Sequence, residues 1–329
     1  MRFSVGWRVE EDDRFLREIL ARKSDIYEVY FSWGKFPSGR NDQTRTLGLT
    51  PWEAQARQTE ALSAFAAADI PVNILFNANC YGAQSQSRTF FNEIGTVLSY
   101  VAERCRLVSV TTTSFLVAKF IKQNFPGLDV RASVNMSLGT PHALEYTSEY
   151  FDSFYVQREK NRDFASLRSL RAWCDKNGKE MYLLANSGCL NDCSAHTFHD
   201  NLVAHEQEIA AMDNGYAFSG LCREFLQKSE NRMQFLPCTN FIRPEDVSLY
   251  DGLVPAMKLA TRVHKNPVQI LRAYIDNRRF SGNLPSLLEP DHAGVLYPYI
   301  LENSKIKRKL ENDTLIYENA EEAFIRLEE

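Results

Sequence analysis

A chain of 329 residues with a formal net charge of −4, 44% hydrophobic and 24% charged residues, has the composition of a globular protein long enough for one large barrel or two ordinary domains. That balance argues against a general polyanion-binding surface and leaves room only for a local basic groove. Nowhere do eighteen apolar residues run together, so no membrane span is expected. The N-terminal run has no apolar stretch long enough for a signal peptide, and the cytoplasm is the expected location.

In chain order, short runs rich in β-branched and aromatic residues predict strands at 3–7, 26–33, 72–78, 107–113, 130–136, 153–157, 180–186 and 256–261. Apolar residues at helical spacing between them predict helices at 12–22, 51–68, 89–104, 115–125, 142–150 and 163–177. Thr50 followed by Pro51 reads as a capped helix start. Eight strands with helices after most of them predict a (β/α)8 barrel. No Gly-x-Gly-x-x-Gly or Gly-x-x-x-x-Gly-Lys motif follows any strand, which removes support for the nucleotide-binding open sheets. The barrel is expected over 1–265, with an insertion at about 187–250 between strands 7 and 8 and a C-terminal helical extension over 266–329, beginning with a helix at 267–277.

The seven cysteines are an odd set, and in an intracellular chain metal binding or catalysis is a commoner use of cysteine than disulfides. Cys105 and Cys174 read as plain packed thiols. Cys189, Cys193, Cys222 and Cys238 all fall in the insertion, at the face where barrels carry their active sites. Gly188 permits a sharp bend before the Cys-x3-Cys pair. One close pair with two singletons is less typical of zinc, which favours two similar pairs, than of a four-thiolate iron–sulfur cluster; zinc remains the alternative. His196, His199 and His205 follow closely and read as supporting or substrate-facing residues rather than ligands. Other side chains expected at the barrel mouth, from their places at strand C-termini, are Trp7, Ser32, Asn77, Asn79, Cys80, Thr113, Asn135, Arg158, Glu159, Lys258 and Arg262. Arg158 and Glu159 are read as a pair orienting a substrate carboxylate, and Lys258 as an anion-binding group, since buried lysine is rare. The basic run from Lys305 to Leu310 reads as a solvated helix face.

These residues together resemble the collagenase-like U-thirty-two peptidase family over roughly residues 1–265. The similarity is carried by five segments in order: Arg131-Ala-Ser-Val-Asn-Met-Ser, Gln157-Arg-Glu-Lys-Asn-Arg, Asn186-Ser-Gly-Cys-Leu-Asn-Asp-Cys-Ser, Thr239-Asn-Phe-Ile-Arg-Pro-Glu-Asp-Val and Met257-Lys-Leu-Ala-Thr-Arg. Several members look like 4Fe–4S proteins serving oxygen-independent hydroxylation in ubiquinone synthesis or on tRNA. The resemblance therefore implies a 4Fe–4S cluster on Cys189, Cys193, Cys222 and Cys238, with catalytic roles for Lys258, Arg158, Glu159 and Arg262. This chain departs from the family where Leu259-Ala260-Thr261 replaces a Glu-Gly and Asn186-Ser187 replaces a His-Gly, the mark of a divergent member.

The expected function is an iron–sulfur enzyme performing a hydroxylation-type or other redox modification of a small molecule, peptide or tRNA. Two alternatives stand beside it. One is a peptidase, although no Ser/His/Asp or His-Glu-x-x-His pattern is present. The other is a non-catalytic metal-binding scaffold that partners a related subunit.

Overall fold

The apolar and β-branched runs of this chain become a closed parallel barrel in the computed structural model, which describes residues 1–10, 12–34, 36–39, 47–276 and 279–327. In order the barrel elements are β1 (Arg2–Gly6), α1 (Arg14–Ala21), β2 (Ile26–Phe31), α2 (Pro51–Ala67), β3 (Val72–Phe76), α3 (Arg88–Ala102), β4 (Leu107–Thr112), α4 (Phe115–Asn124), β5 (Asp129–Ala132), α5 (Pro141–Thr147), β6 (Ser153–Tyr155), α6 (Phe164–Asn177) and β7 (Glu180–Leu184). The insertion comes next with α7 (His196–Ala204), α8 (Glu206–Ile209) and α9 (Leu221–Gln227), and then β8 (Ala256–Leu259). Each strand pairs with its neighbour in sequence, and β8 closes on β1 through Arg2↔Ala256 and Val5↔Leu259. The (β/α)8 expectation holds.

The helices start where side chains can satisfy their first amides. At α2, Thr50 and Glu53 form a reciprocal capping box with Pro51 at the first helical position. Ser87, Ser114, Thr140 and Asp163 cap α3, α4, α5 and α6 in the same sense. The strands end one to four residues earlier than their apolar runs predict. After β5, for example, the Ser133 side chain accepts from the Asn135 amide and turns Val134–Met136 into a single 3-10 turn.

Two layers divide the burial. Phe3, Val5, Val29, Phe31, Val72, Ile74, Val110 and Val130 face outward from the strands into the main apolar core under the helices. The barrel interior is polar instead. Glu28 accepts from Ser4 (3.0 Å), Asn73 (3.1 Å), Ser109 (3.1 Å) and the Arg131 guanidinium (2.5 Å). Arg131 also pairs with Asp129 at 2.7 Å and lies over the Tyr182 ring at 4.0 Å.

The C-terminal part differs from the helical extension expected. A helix, α10 (Pro267–Ile275), packs on α1 and β1 and occupies the eighth helix position; Arg272 reaches Glu18 of α1 at 2.8 Å and Phe3 meets Tyr274 edge-on. Residue 277, the expected end of this helix, lies outside the described residues. Beyond it come α11 (Ala293–Leu296), β9 (Tyr299–Leu301), β10 (Lys307–Glu311), β11 (Thr314–Glu318), α12 (Ala320–Ala323) and β12 (Phe324–Arg326). The basic run read as a helix face is the β10 strand of a hairpin. Asn312 and Asp313 both adopt positive φ (46° and 61°), which is the two-residue turn whose twist suits a hairpin. Among the described residues, no helix is long and apolar enough to cross a membrane.

Candidate active site

The polar interior rises through the barrel to a mouth cavity at the C-terminal ends of the strands. Tyr30 comes from β2, Asn77 from the end of β3, Val134 and Asn135 from the turn after β5, Arg158 from the turn after β6, and Lys258 from β8, followed by Ala260 and Arg262. Inside-facing residues alternate along a strand, so Lys258 stands on the same face of β8 as Ala256 and meets Tyr30 and Tyr155 across the lumen. Its ammonium is 4.0 Å from the Tyr30 ring centroid and 4.6 Å from that of Tyr155, within cation–π reach of both rings. Lys258 is 7% exposed and makes no ion pair among the described residues. Burial, and then the nearby Arg262, hold its ammonium pKa well below the usual lysine value, with Arg131 and Arg158 adding to the effect against the pull of Glu28.

Two guanidiniums complete the mouth. Arg158 donates to the Asn135 side chain at 2.7 Å and touches the His196 ring at the start of α7, while its Nε is buried without a partner. Arg262 donates to Ser32 (3.2 Å) and Ser38 (3.0 Å). Gly39 lies against this wall, where a Cβ would come within 2.9 Å of the Asn77 amide nitrogen, so only glycine fits without displacing it. Among the described residues the single carboxylate in the lining is Glu289, delivered by the C-terminal segment: Glu289 and Ser187 form a parallel bridge, with Gly188 N–H donating to the Glu289 carbonyl at 2.9 Å. Among the described residues, three cations against one carboxylate make a cavity of ≈ 50 Å³ suited to an anion.

Of the expected mouth residues, the structure brings together Asn77, Asn135, Arg158, Lys258 and Arg262 in the lining, with Ser32 directly behind Arg262. Trp7 is not among them. It points to the helical layer and packs edge-on to Phe31 and Phe65, because the register of β1 sends odd positions outward. The Arg158–Glu159 pair does not form among the described residues: Arg158 turns inward to Asn135, and Glu159 is half-buried outside the cavity lining. Thr113 is spent locally on the Ala78 carbonyl. Tyr30 was not singled out from the sequence, although its period-two alternation with Glu28 and Ser32 carries the signal; Glu289 carries no local signal at all.

The four insertion cysteines approach one another from three segments beside the mouth. The Cys189–Cys193 turn is clipped to the Cys238 segment by the Leu190↔Thr239 bridge and by Asn191 N–H donating to the Cys238 carbonyl at 2.6 Å. Cys222 opens α9 after Gly220, whose φ of 96° suits glycine alone. Burial pushes the Cys222 thiol up to about 11, and the neighbouring Cys189 and Cys193 thiols add to that. All four are free and half-buried. The donor set, four soft thiols in one patch, fits a thiolate-bound metal group in its chemistry. Its side chains stand apart, however: among the described residues no three His, Cys, Asp or Glu groups converge closely enough to hold a metal ion. His196 lies 3.5 Å from Asp200 as well as against Arg158, and His199 packs on the Phe218 ring.

No family model matches the chain. The chain is 26% identical over 283 residues, covering 83% of its own length and 79% of the other, to a Methanocaldococcus jannaschii protein named Uncharacterized protease MJ1657. Its barrel also resembles the solved structure of the U32 peptidase Mk0906, with a TM-score of 0.54 over 78% of this chain and 91% of that one, at 12% identity. The chain is thus similar in sequence to a protein named as a protease, and it shares the fold of a U32 peptidase.

Proposed function

We propose that this chain is an enzyme of the U32 peptidase kind whose barrel mouth binds the carboxylate of a small-molecule or peptide substrate. The observation that carries the reading is Lys258, a buried amine with no carboxylate partner among the described residues, in a cavity it shares with Arg158 and Arg262. An unpaired buried cation is costly to keep, and an anionic ligand removes the cost. The cavity has room for only about three to five water-sized groups, which suits a carboxylate head with the rest of the substrate outside. The name of the similar M. jannaschii protein favours a peptide. A tRNA substrate is disfavoured, since the chain carries a net charge of −4 and a polyanion calls for an extended basic track.

Calorimetric titration with glycylglycine and with succinate tests this reading. Binding to the wild type, weakened at least about tenfold in Lys258→Met and in Arg158→Met, is the expected result, since a charge-assisted hydrogen bond is worth about 1.5–3 kcal/mol. Equal binding in all three proteins would remove the mouth as a carboxylate site. It would also leave the metal-binding scaffold as the better description.

A second reading, redox modification at a 4Fe–4S cluster, is favoured by four soft thiols brought from three segments, with the Cys189–Cys193 turn clipped to the Cys238 segment through Asn191. Cys189, Cys193, Cys222 and Cys238 would hold the group as thiolates. Bound there, it would supply one-electron transfer next to the mouth. Anaerobic purification followed by metal analysis decides between the groups: about four irons with a sulfur-to-iron absorption band supports the cluster, whereas one zinc per chain sinks it. Cys→Ala at each of the four positions is expected to bleach the band.

A further inference from the structure

Outside the mouth and outside the insertion cysteines, one more cluster of reactive side chains is built from two elements distant in sequence. Cys80 lies in the loop after β3, with the Gly82 N–H donating to its sulfur at 3.3 Å. His205 stands at the joint between α7 and α8, with its imidazole over the Gly82 end of the turn that carries Cys80. On its other side, His205 Nδ1 meets Glu208 Oε2 at 2.9 Å, an i,i+3 contact inside α8. His205 Cε1 comes within 3.7 Å of where a Cβ on Gly82 would sit, so the imidazole covers the very turn that presents the thiol. Neither the carboxylate-binding residues nor the four insertion cysteines include any of these three.

We propose that Cys80, His205 and Glu208 form a nucleophilic thiol site that accepts acyl groups from amides, esters or thioesters at the rim of the barrel mouth. A nucleophile beside a base, with the base oriented by a third group, is the arrangement this chemistry requires. Glu208 is the positioning residue: by holding Nδ1 it leaves Nε2 for the sulfur. The ionisable groups that act on Cys80 are His205 and Glu208. The hydrogen bond from His205 and then the Gly82 amide hold the Cys80 thiol below the ordinary thiol range, while the Cys80 and Glu208 contacts hold His205 above the usual imidazole value. Cys105 and Cys174 show the contrary case, both pushed up to about 11 by burial. Cys80 and His205 are partly exposed, so a substrate can reach them.

The position is also suited to the chemistry. Asn77 lines the mouth three residues before Cys80, and His196, which touches Arg158, opens the same helix that His205 ends. In the step proposed, the Cys80 thiolate attacks the acyl carbonyl carbon. A C–S bond forms, the bond to the leaving nitrogen, oxygen or sulfur breaks, and the leaving group takes the proton from the His205 imidazolium. Water then attacks the thioester, giving one proton to His205, and the carboxylic acid and the thiolate are released.

The thiol site stands apart from the carboxylate site and from the cluster, and its test fails separately from theirs. The protein as purified is treated with p-nitrophenyl acetate and mapped by peptide mass spectrometry. Expected are acetylation at Cys80 ahead of the other six cysteines, a slowing of about 10²-fold or more in His205→Gln, a smaller slowing in Glu208→Gln, and none of the adduct in Cys80→Ala. A second measurement needs no variant: iodoacetamide alkylation of Cys80 in the wild type should persist well below the ordinary thiol pKa of about 8.5. Acetylation of Cys80 no faster than that of Cys193, or an alkylation profile centred on the ordinary thiol value, would overturn the proposal.

Discussion

Lys258 shows how one side chain can be both a stability defect and a binding device. Its folded-state pKa is depressed by burial and by the neighbouring guanidiniums. In the window between that value and the ordinary lysine value of about 10.4, the unfolded chain therefore binds more protons than the folded one. Stability contributed at this site rises with pH across the window: the penalty is complete below the folded pKa and gone above the unfolded one. Lys258→Met is accordingly expected to raise the free energy of unfolding at neutral pH by about 1–3 kcal/mol, the cost of a buried unsatisfied group, with the gain shrinking as the pH is raised toward 10. Urea denaturation at several pH values checks both points, and a loss of stability in Lys258→Met would show that the amine has a partner after all. A bound carboxylate works in the opposite direction by restoring the charged form. Binding should then take up protons from solution and weaken as pH rises, measurable by calorimetry in two buffers of different ionisation enthalpy.

At the scale of elements, the strands were legible because parallel barrel strands buried on their outer face read as short apolar runs, and all eight fall where those runs lie. Their interior face was not legible, since a lumen filled by Glu28, Arg131, Asn73, Ser4 and Ser109 replaces the branched aliphatic layers usual in such barrels. A charge inside an apolar run looks like a surface position until its partner is known, and here Arg131 lies 103 residues from Glu28. Burial pushes the Glu28 carboxyl up, but Arg131 and the hydrogen bonds from Asn73 and Ser4 more than reverse this and hold it below the ordinary carboxylate range. Stability from this pair is therefore present above the ordinary glutamate pKa and lost as pH falls through the depressed one. Glu28→Gln should cost about 3–5 kcal/mol, because it leaves the Arg131 guanidinium buried without its counter-charge, whereas Thr50→Ala at the α2 cap should cost only about 1 kcal/mol. Comparable midpoints for the two variants in chemical denaturation would show that the interior pair is not what holds β2 to β5.

For the whole molecule, the mouth is completed by chain far from the barrel strands. The cations Arg158, Lys258 and Arg262 could be placed from sequence because each lies at or just after a strand end, but the apposed Glu289 belongs to a stretch with no strand, helix or motif to announce it. Two side-chain bonds to backbone carbonyls hold that stretch in place: Asn186 Nδ2 donates to the Leu287 carbonyl at 2.9 Å, and His292 Nε2 meets the Gly188 carbonyl at 2.9 Å, directly beside the cysteine turn. Behind them Leu284, Leu287, Leu288, Leu296 and Leu301 are fully buried, and Tyr317 of the hairpin lies under both Arg162 and Arg243. Each fully buried leucine contributes about 1.5–3 kcal/mol, so five of them approach the whole net stability of an ordinary domain, about 5–15 kcal/mol. A chain ending at Asp276 is therefore expected to lose its cooperative thermal transition and to expose apolar surface, read by dye binding and near-ultraviolet circular dichroism. If that shortened chain instead melts cooperatively at an unchanged temperature, the barrel is independent of the C-terminal segment, which is then an appended piece that merely lends Glu289 to the mouth.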